Sequence, residues 1–268
     1  MICFKDYEFE PVATFECGQC FRWTDDGEGY VGIVGDKVCR IRNDQLICPD
    51  CDNDFWREYF CLDFDYAGMK DILIKSDKAL KECIDFGKGI RILKQPLWET
   101  VVSFIISANN NIPRIRKIID TLCSMYGDEV IFEGKSYYTF PDAKRLAGLT
   151  AEDLAPLKAG YRDKYILDAA AKFASGEIDP EKLDTLTLGE VEKTLLSIKG
   201  VGKKVADCIM LFSLGKYEVF PRDVWIKRIM LEVYGVSENQ AGSFATEKFG
   251  EYAGFAQQYL FYYYRENK

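Results

Sequence analysis

Histidine is absent from the 268 residues of the sequence. This absence excludes Ser-His triads, Cys-His pairs and histidine general bases, so catalysis would have to use lysine, carboxylate, cysteine or tyrosine side chains. No apolar run approaches the roughly 18 residues that a membrane span needs. The first residues show no basic segment followed by an apolar one. We therefore expect an intracellular, cytoplasmic protein with no membrane association.

The ten cysteines come without a secretory signal, which predicts reduced thiols and not a disulfide framework. Two pairs have Cys-x-x-Cys spacing, at residues 17 and 20 and at residues 48 and 51, and together they could form a four-thiolate zinc site. The first pair lies in an apolar, strand-like stretch. We therefore expect no metal and no cofactor, with zinc as the alternative.

The net charge of −8 is unevenly distributed along the chain. Residues 86–117 contain six basic side chains and one acidic one, and residues 190–228 contain eight basic and five acidic ones. A local basic face on an acidic body can bind phosphates, although small imbalances are also common on solvated surfaces.

The hydrophobic pattern changes near residue 85. Before it, short β-rich stretches are separated by Asp/Gly turns, and after it apolar residues recur at helical spacing. This predicts an α+β protein with two domains: a small N-terminal antiparallel-sheet domain (1–85) packed on a larger all-helical domain (86–268). The predicted strands are 20–23, 30–34 and 37–41. The predicted helices are 53–60, 66–76, 98–108, 113–126, 151–157, 164–175, 188–197, 203–214, 224–234 and 245–263.

A helical hairpin is predicted at about residues 190–214, where one helix ends, a Gly-Val-Gly turn follows and a second helix begins at once. Gly200 and Gly202 permit a tight turn and close backbone approach. The first amides of the second helix form an anion site, which with Lys199 and Lys203 would suit one DNA phosphate. The alternative is an ordinary helical corner with solvated lysines.

Asp223 follows a loop and is placed to cap the helix that begins at Val224. A lysine at one helix start, Lys204, and an aspartate about twenty residues later can meet in a single cleft. The alternative is that Asp223 is a cap and nothing more.

Motifs at separated places resemble the helix-hairpin-helix (HhH-GPD) DNA glycosylases, and among them the 8-oxoguanine DNA glycosylases. Residues 204–208 read Lys-Val-Ala-Asp-Cys, residues 18–23 read Gly-Gln-Cys-Phe-Arg-Trp, and residues 253–257 read Ala-Gly-Phe-Ala-Gln. No cysteine follows Cys208, so the C-terminal cluster that holds iron and sulfur in the endonuclease III branch is missing.

The resemblance implies a base-excision repair enzyme that flips and excises 8-oxoguanine and then nicks the strand. Lys204 would be the nucleophile, because a lysine amine attacks the sugar C1′ in its neutral form and forms a Schiff base that permits β-elimination. Asp223 would stabilise positive charge developing at C1′. The alternative for Lys204 is a solvated lysine at a helix start.

The resemblance also implies a base-recognition set. The Gly18 carbonyl would accept the N7–H of the lesion, Gln257 would bond its pairing edge, and Phe261 would stack on the ring opposite Cys208. Lys204 and Cys208 lie at i and i+4 and so share a helix face. Phe261 could instead be an ordinary core residue.

Opposite the lesion, the resemblance makes Asn109 the plug that replaces the flipped base. Arg114 and Arg162 would read the widowed cytosine and Tyr161 would wedge beside it. The alternatives are a capping loop for the Asn run at 109–111 and a surface pair for Tyr161 and Arg162. Trp225 stands where animal family members carry a histidine that contacts a phosphate, which puts that contact in doubt.

The expected partner is double-stranded DNA containing oxidised guanine, bound by a monomer associated with the nucleoid. Two other functions stay open. One is a glycosylase for another damaged purine, which would rely on the aspartate and lack the lysine. The other is a non-enzymatic hairpin DNA-binding protein, which would need the glycine turn and no base pocket.

Overall fold

The computed structural model describes residues 2–49 and 52–267. An antiparallel sheet near the N-terminus has strand order β1-β2-β3-β4. Its strands are β1 Trp23–Asp25, β2 Tyr30–Val34, β3 Lys37–Arg42 and β4 Gln45–Ile47. The tight β3–β4 connection uses Asn43 and Asp44 at φ of 52° and 60°, a conformation that Asn and Asp tolerate better than most residues. Strand β1 begins at Trp23, so the predicted strand at 20–23 is wrong for its first three residues.

Helices dominate the rest of the described chain. In chain order they are α1 Pro11–Phe15, α2 Asn53–Tyr59, α3 Tyr66–Ser76, α4 Leu80–Phe86, α5 Leu97–Ser107, α6 Ile112–Tyr126, α7 Ala143–Ala147, α8 Ala151–Leu154, α9 Arg162–Ala174, α10 Pro180–Leu183, α11 Leu188–Leu196, α12 Lys203–Leu214, α13 Val224–Tyr234, α14 Ala241–Phe249 and α15 Ala253–Glu266. Short 3₁₀ turns lie at Phe4–Asp6, Ala155–Leu157 and Gly250–Tyr252.

Most predicted helices are confirmed to within two residues at each end, and α3, α12 and α13 match at both ends. The single helix predicted at 245–263 is wrong, because the chain forms α14 and α15 with a break between them. Gly250 has φ of 55° at that break, and a left-handed residue ends the right-handed helix. The break makes α15 a separate helix, which carries the predicted site residues Gln257 and Phe261.

A two-stranded hairpin lies within the helical part, at β5 Glu129–Phe132 and β6 Lys135–Tyr138, and the sequence analysis did not predict it. Glu133 and Gly134, at φ of 50° and 74°, form its turn. The hairpin reaches the N-terminal sheet, where the Glu133 carboxylate accepts a 2.7 Å hydrogen bond from Arg40 on β3. It therefore ties the two parts of the chain together.

The core of the described residues falls into three clusters: an aromatic one against the sheet, a larger helical one, and a small one in which Val31 and Val38 of the sheet pack with Phe132 of the β5–β6 hairpin. In the first, Phe15 stacks on Trp23 with ring centroids 4.1 Å apart. In the second, α12 packs between α5 and α11, and α15 packs against α4 and α13. Helix α3 precedes residue 85 and α4 spans it, yet both contribute to the helical cluster. The domain border at residue 85 stays a prediction.

None of the helices in the described residues combines the length and apolarity needed to cross a bilayer.

Candidate active site

The helical hairpin is formed by α11 and α12 and the turn between them. Thr187 starts α11 with a reciprocal capping box to Glu190. Gly200 has φ of 84°, and a Cβ there would lie 2.3 Å from the ring of Tyr165, so the turn requires glycine. Gly202 is the N-cap of α12 and has no side chain to occupy the first amides of that helix. The turn therefore offers backbone N–H groups to an anion.

Lys203 and Lys204 are adjacent but have different surroundings. The Lys203 ammonium lies 2.9 Å from the Asp207 carboxylate and 3.0 Å from that of Glu192, which links α12 to α11. Burial raises the pKa of Asp207 to about 6, and Lys203 opposes that rise. A DNA phosphate at Lys203 would compete with two carboxylates, and this predicted contact stays a prediction.

Lys204 is half-buried, and its Nζ lies 5.4 Å from the ring centroid of Phe104 on α5. It lines a small cavity, which we call the base pocket. The pocket is lined by Cys17, Gly18, Phe104, Lys204, Cys208, Phe212, Pro221, Asp223, Gln257, Gln258 and Phe261. All six residues predicted for catalysis and base recognition are therefore brought together.

Asp223 is both the cap of α13 and a wall of the base pocket. Its Oδ1 accepts a 2.8 Å hydrogen bond from the Ile226 amide, which confirms the predicted cap. Burial raises the pKa of this carboxyl, while the Ile226 amide and the positive charge of Lys204 lower it. The carboxylate of Asp223 and the amine of Lys204 thus line the same cavity.

Cys208 lies one turn after Lys204 on α12 and is buried. Burial raises the pKa of its thiol to about 11, and the neighbouring Lys204 partly opposes the rise. The thiol is therefore neutral at physiological pH and offers a polarizable, uncharged surface to a base.

Gly18 and two residues of α15 close the pocket. Gly18 has φ of 84°, and a Cβ on it would lie 3.5 Å from the ring of Phe261. Gln257 is 5% exposed, and its Oε1 has no hydrogen-bond partner among residues 2–49 and 52–267. A buried acceptor without a partner is unfavourable, and a donor on a ligand would satisfy it.

The cavity measures about 40 Å³, far below the roughly 300–1,000 Å³ of typical ligand sites. A purine is much larger than this cavity. The side chains that line the base pocket must therefore move apart before a base can enter.

The residues predicted to lie opposite the lesion form a second group, which we call the opposite-base face: Asn109, Arg114, Tyr161 and Arg162. The Arg162 guanidinium donates to the carbonyls of Ala159, at 3.0 Å, and Asn109, at 3.3 Å. Tyr161 is 53% exposed, and its ring centroid lies 4.6 Å from that guanidinium. Arg114 donates at 3.1 Å to a carbonyl of the same loop, that of Lys158.

Asn109 itself is exposed, with φ of 51° just after α5. Asn111 caps α6 by accepting from the Arg114 amide at 3.0 Å, so the capping role considered for this Asn run belongs to Asn111. Asn109 is left at the tip of the loop.

Sequence reasoning missed several pocket residues. Phe104 stands in an apolar helix where nothing distinguishes a pocket wall from core. Gln258 follows a predicted site residue directly, and Pro221 belongs to the loop before Asp223. Of these three residues, only Gln258 could have been predicted from the sequence, because it directly follows the predicted site residue Gln257.

The cysteine pair at 17 and 20 is buried inside the fold. The Cys17 thiol donates to the Thr14 carbonyl at 3.1 Å, and burial raises its pKa to about 11. Cys51, of the other pair, lies outside the described residues. In the part of the chain that the structure does describe, no three Cys, Asp or Glu side chains are grouped so as to hold a metal ion.

Comparison with known proteins gives the class of this chain. The family model described as HhH-GPD superfamily base excision DNA repair protein matches residues 102–253, and that of the 8-oxoguanine DNA glycosylase N-terminal domain matches residues 1–101. The chain belongs to the HhH-GPD superfamily, and within it to the family that carries the 8-oxoguanine DNA glycosylase N-terminal domain.

Individual relatives agree with this class. The 8-oxoguanine glycosylase/lyase of Clostridium acetobutylicum, solved with double-stranded DNA containing cytosine opposite 8-oxoguanine, is 42% identical with a TM-score of 0.92, over 98% of this chain and 94% of that one. The N-glycosylase/DNA lyase of Saccharomyces cerevisiae is 34% identical over 84% of this chain and 68% of its own length. The N-glycosylase/DNA lyase OGG1 of Arabidopsis thaliana is 31% identical over 92% and 75%.

Proposed function

We propose that this protein is a bifunctional DNA glycosylase/lyase of base excision repair that flips 8-oxoguanine out of duplex DNA, excises it and nicks the strand. The observation that carries the proposal is the meeting of Lys204 and Asp223 in one small, mostly buried pocket that Gly18 and Gln257 also line. Membership in the family and the similarity to glycosylase/lyases support it.

Lys204 is proposed as the nucleophile. Its neutral amine attacks C1′ of the flipped nucleotide, the bond from C1′ to the base nitrogen breaks, and the base leaves with the electron pair and takes up a proton. The sugar ring opens to a Schiff base on Nζ. Loss of a C2′ proton then expels the 3′ phosphate, and water releases Lys204.

Asp223 is proposed to stabilise the transition state. Positive charge develops at C1′ as the base leaves, and a carboxylate in a water-poor pocket acts on it more strongly than one in water would. The hydrogen bond from the Ile226 amide holds Oδ1 in place, so the carboxylate needs no reorganisation during the reaction.

Recognition of the lesion is proposed to rest on its N7–H. 8-Oxoguanine has a donor at N7 where guanine has an acceptor, and the Gly18 carbonyl can accept only from the former. The unpartnered Oε1 of Gln257 would accept from the pairing edge, and Phe261 and Cys208 would hold the ring between them.

The opposite-base face is proposed to read cytosine. Arg114 and Arg162 offer donors to an acceptor-rich edge, Asn109 fills the vacated place, and Tyr161 restores stacking. Gly200, Gly202 and Lys203 would hold one phosphate. Because a single chain supplies every member of both groups, we further propose that the enzyme acts as a monomer, in the cytoplasm where it meets chromosomal DNA.

Two other functions are less well supported. A glycosylase for another purine lesion that relied on the aspartate alone would not need an amine in its base pocket, and Lys204 lines it. A non-enzymatic hairpin protein would need the glycine turn and would have no use for a buried pocket.

The deciding experiment incubates the protein with a labelled duplex containing one 8-oxoguanine opposite cytosine, in the presence of borohydride. Reduction of the Schiff base should give a stable covalent complex that Lys204→Gln abolishes, with excision falling on the order of 10³-fold or more. Lys75→Gln, an exposed lysine on α3, is the matched control and should trap normally. An untrapped protein that leaves the lesion strand intact would favour the other two functions.

A further inference from the structure

Two side chains of α15 bind the backbone of the loop that carries Gly18, at the two residues that precede Gly18. Gln258 is 2% exposed, and its Nε2 donates to the Cys17 carbonyl at 2.9 Å. Arg265 donates to the Glu16 carbonyl at 2.6 Å. The two donors are seven residues apart, about two helical turns, so they lie on the same face of α15 and bind successive carbonyls.

The other side of the loop is held by the segment that leads into α5. Gln19 is fully buried, and its side chain donates to the Arg91 carbonyl at 2.7 Å and accepts from the Leu93 amide at 2.9 Å. The Gln19 carbonyl in turn accepts from Gln95 at 2.8 Å. The peptide before Gly18 is therefore fixed by Gln258, and the residue after it, Gln19, is fixed through its own buried side chain and through Gln95.

The Gly18 carbonyl differs from its neighbours. The carbonyls of Glu16, Cys17 and Gln19 each accept from a side chain, whereas no group within residues 2–49 and 52–267 donates to that of Gly18. This distribution leaves one acceptor for a ligand, at a residue that lines the base pocket.

We infer that Gln258, supported by Arg265, is a positioning residue for lesion recognition that fixes the direction of the Gly18 carbonyl. The inference rests on the proposed function. Rotation of the peptide between Gly18 and Gln19 would exchange the carbonyl for an N–H group, and an N–H would favour the N7 acceptor of guanine over the N7–H of 8-oxoguanine. A glycine with positive φ permits such a rotation more readily than other residues do, so the flanking peptides must be held.

The test separates base recognition from the chemistry of the sugar. Strand cleavage at a preformed abasic site needs Lys204 but no base in the pocket, whereas excision of 8-oxoguanine needs both. Gln258→Met keeps the length of the side chain and removes the donor, and the excision rate should fall about 10- to 100-fold with abasic-site cleavage within about twofold of wild type. Thr100→Val removes another buried side-chain bond to a carbonyl, of 2.9 Å to Pro96, and should change neither rate.

Two further variants sharpen the result. Gln258→Glu has the same shape and no donor while ionised, so its excision rate relative to wild type should recover as the pH falls and the acid regains a proton. Arg265→Gln should give a smaller loss in the same direction, which keeps the inference testable if the buried variants fold poorly.

Equal losses of excision and abasic-site cleavage in Gln258→Met, or no loss of excision, would overturn the inference. Failure of the proposed function has a different signature, since wild-type protein would then leave 8-oxoguanine in place.

Discussion

The base pocket and the opposite-base face are built in contrasting ways. The pocket lies between α12, α15 and the Gly18 loop, its cavity is about 40 Å³, and Gln257 and Cys208 are almost fully buried there. The opposite-base face combines the loop after α5, the first turn of α6 and the start of α9. Tyr161 is 53% exposed there, whereas Arg162 is 4% exposed. The base pocket is narrow and lined mostly by buried side chains, and the opposite-base face presents Asn109, Arg114 and Tyr161 to solvent.

The difference suits the two regions to different tasks in recognition. Buried groups of fixed direction can distinguish a donor from an acceptor, because a wrong partner leaves a polar atom unsatisfied. The exposed Arg114, whose bond is to the Lys158 carbonyl, can exchange that bond for a base edge when DNA binds, whereas the buried Arg162 must first release the carbonyls that it holds. We therefore expect pocket variants to change the rate of excision on bound DNA, and face variants to change affinity and the preference for the opposite base.

The largest expected effect after loss of Lys204 is that of Asp223→Asn. Asparagine caps a helix about as well as aspartate, so the free energy of unfolding should change little, while excision of 8-oxoguanine should fall on the order of 10²- to 10³-fold. Single-turnover rates and thermal melting measure the two quantities. Asp65→Asn, at the cap of α3, is the matched control and should leave excision unchanged.

The same carboxyl predicts a pH dependence. The active form is the carboxylate, which exists above its pKa, and burial raises that pKa. The excision rate of the wild type should therefore fall with decreasing pH at a higher pH than an exposed aspartate would produce, and this decline should be absent from the residual rate of Asp223→Asn. An identical decline in both proteins would assign the titration to another group.

A smaller effect is expected for Gly18→Ala. An L-residue at φ of 84° is strained by about 1–2 kcal/mol, and relief of that strain would move the carbonyl that meets the lesion. Excision should fall about 10-fold, with less change in cleavage at an abasic site. Gly27→Ala carries the same strain at φ of 85°, with no heavy atom within 4 Å of the new Cβ among the residues described, and controls for stability. Equal activities of the two variants would argue against a role for the Gly18 carbonyl.

The contrast between the regions also explains what the sequence could predict. Helix α12 and the cap at Asp223 follow from local rules, since glycines, a capping aspartate and apolar periodicity are all visible within a few residues. The pocket residues at 18, 257 and 261 came from resemblance, because no local rule brings a loop near the N-terminus against a helix near the C-terminus.

Other features depended on tertiary context. The break at Gly250 was missed because apolar residues continue on both sides of it, and a single glycine does not by itself end a helix. The β5–β6 hairpin was missed because its strands are short and exposed, so the alternation that marks a half-buried strand is weak there. The sequence could not distinguish Phe104 from a core residue, because it lies in an apolar helix although it lines the base pocket.

On the opposite-base face, Arg162→Ala should relax the preference for cytosine by about 10-fold, in line with about 1–3 kcal/mol for a specific base contact. The ratio of excision rates opposite cytosine and opposite adenine measures this, and the rate opposite adenine should change little. Arg145→Ala, an exposed arginine that pairs with Asp128, is the control. A uniform loss opposite every base would mean that Arg162 only supports the loop through the Ala159 and Asn109 carbonyls.

The smallest effect is expected for Tyr161→Ala. Stacking of an aromatic ring on a base contributes about 1–3 kcal/mol, and because this ring is already half-covered by Arg162 and Tyr165, the affinity for lesion DNA should fall about fivefold, near the lower limit. Tyr161→Phe keeps the ring and should bind like wild type in a fluorescence anisotropy titration. If Tyr161→Ala instead slowed excision of fully bound DNA as much as Asp223→Asn does, the wedge would belong to the chemical step, and the separation between a face that reads the opposite base and a pocket that performs the chemistry would not hold.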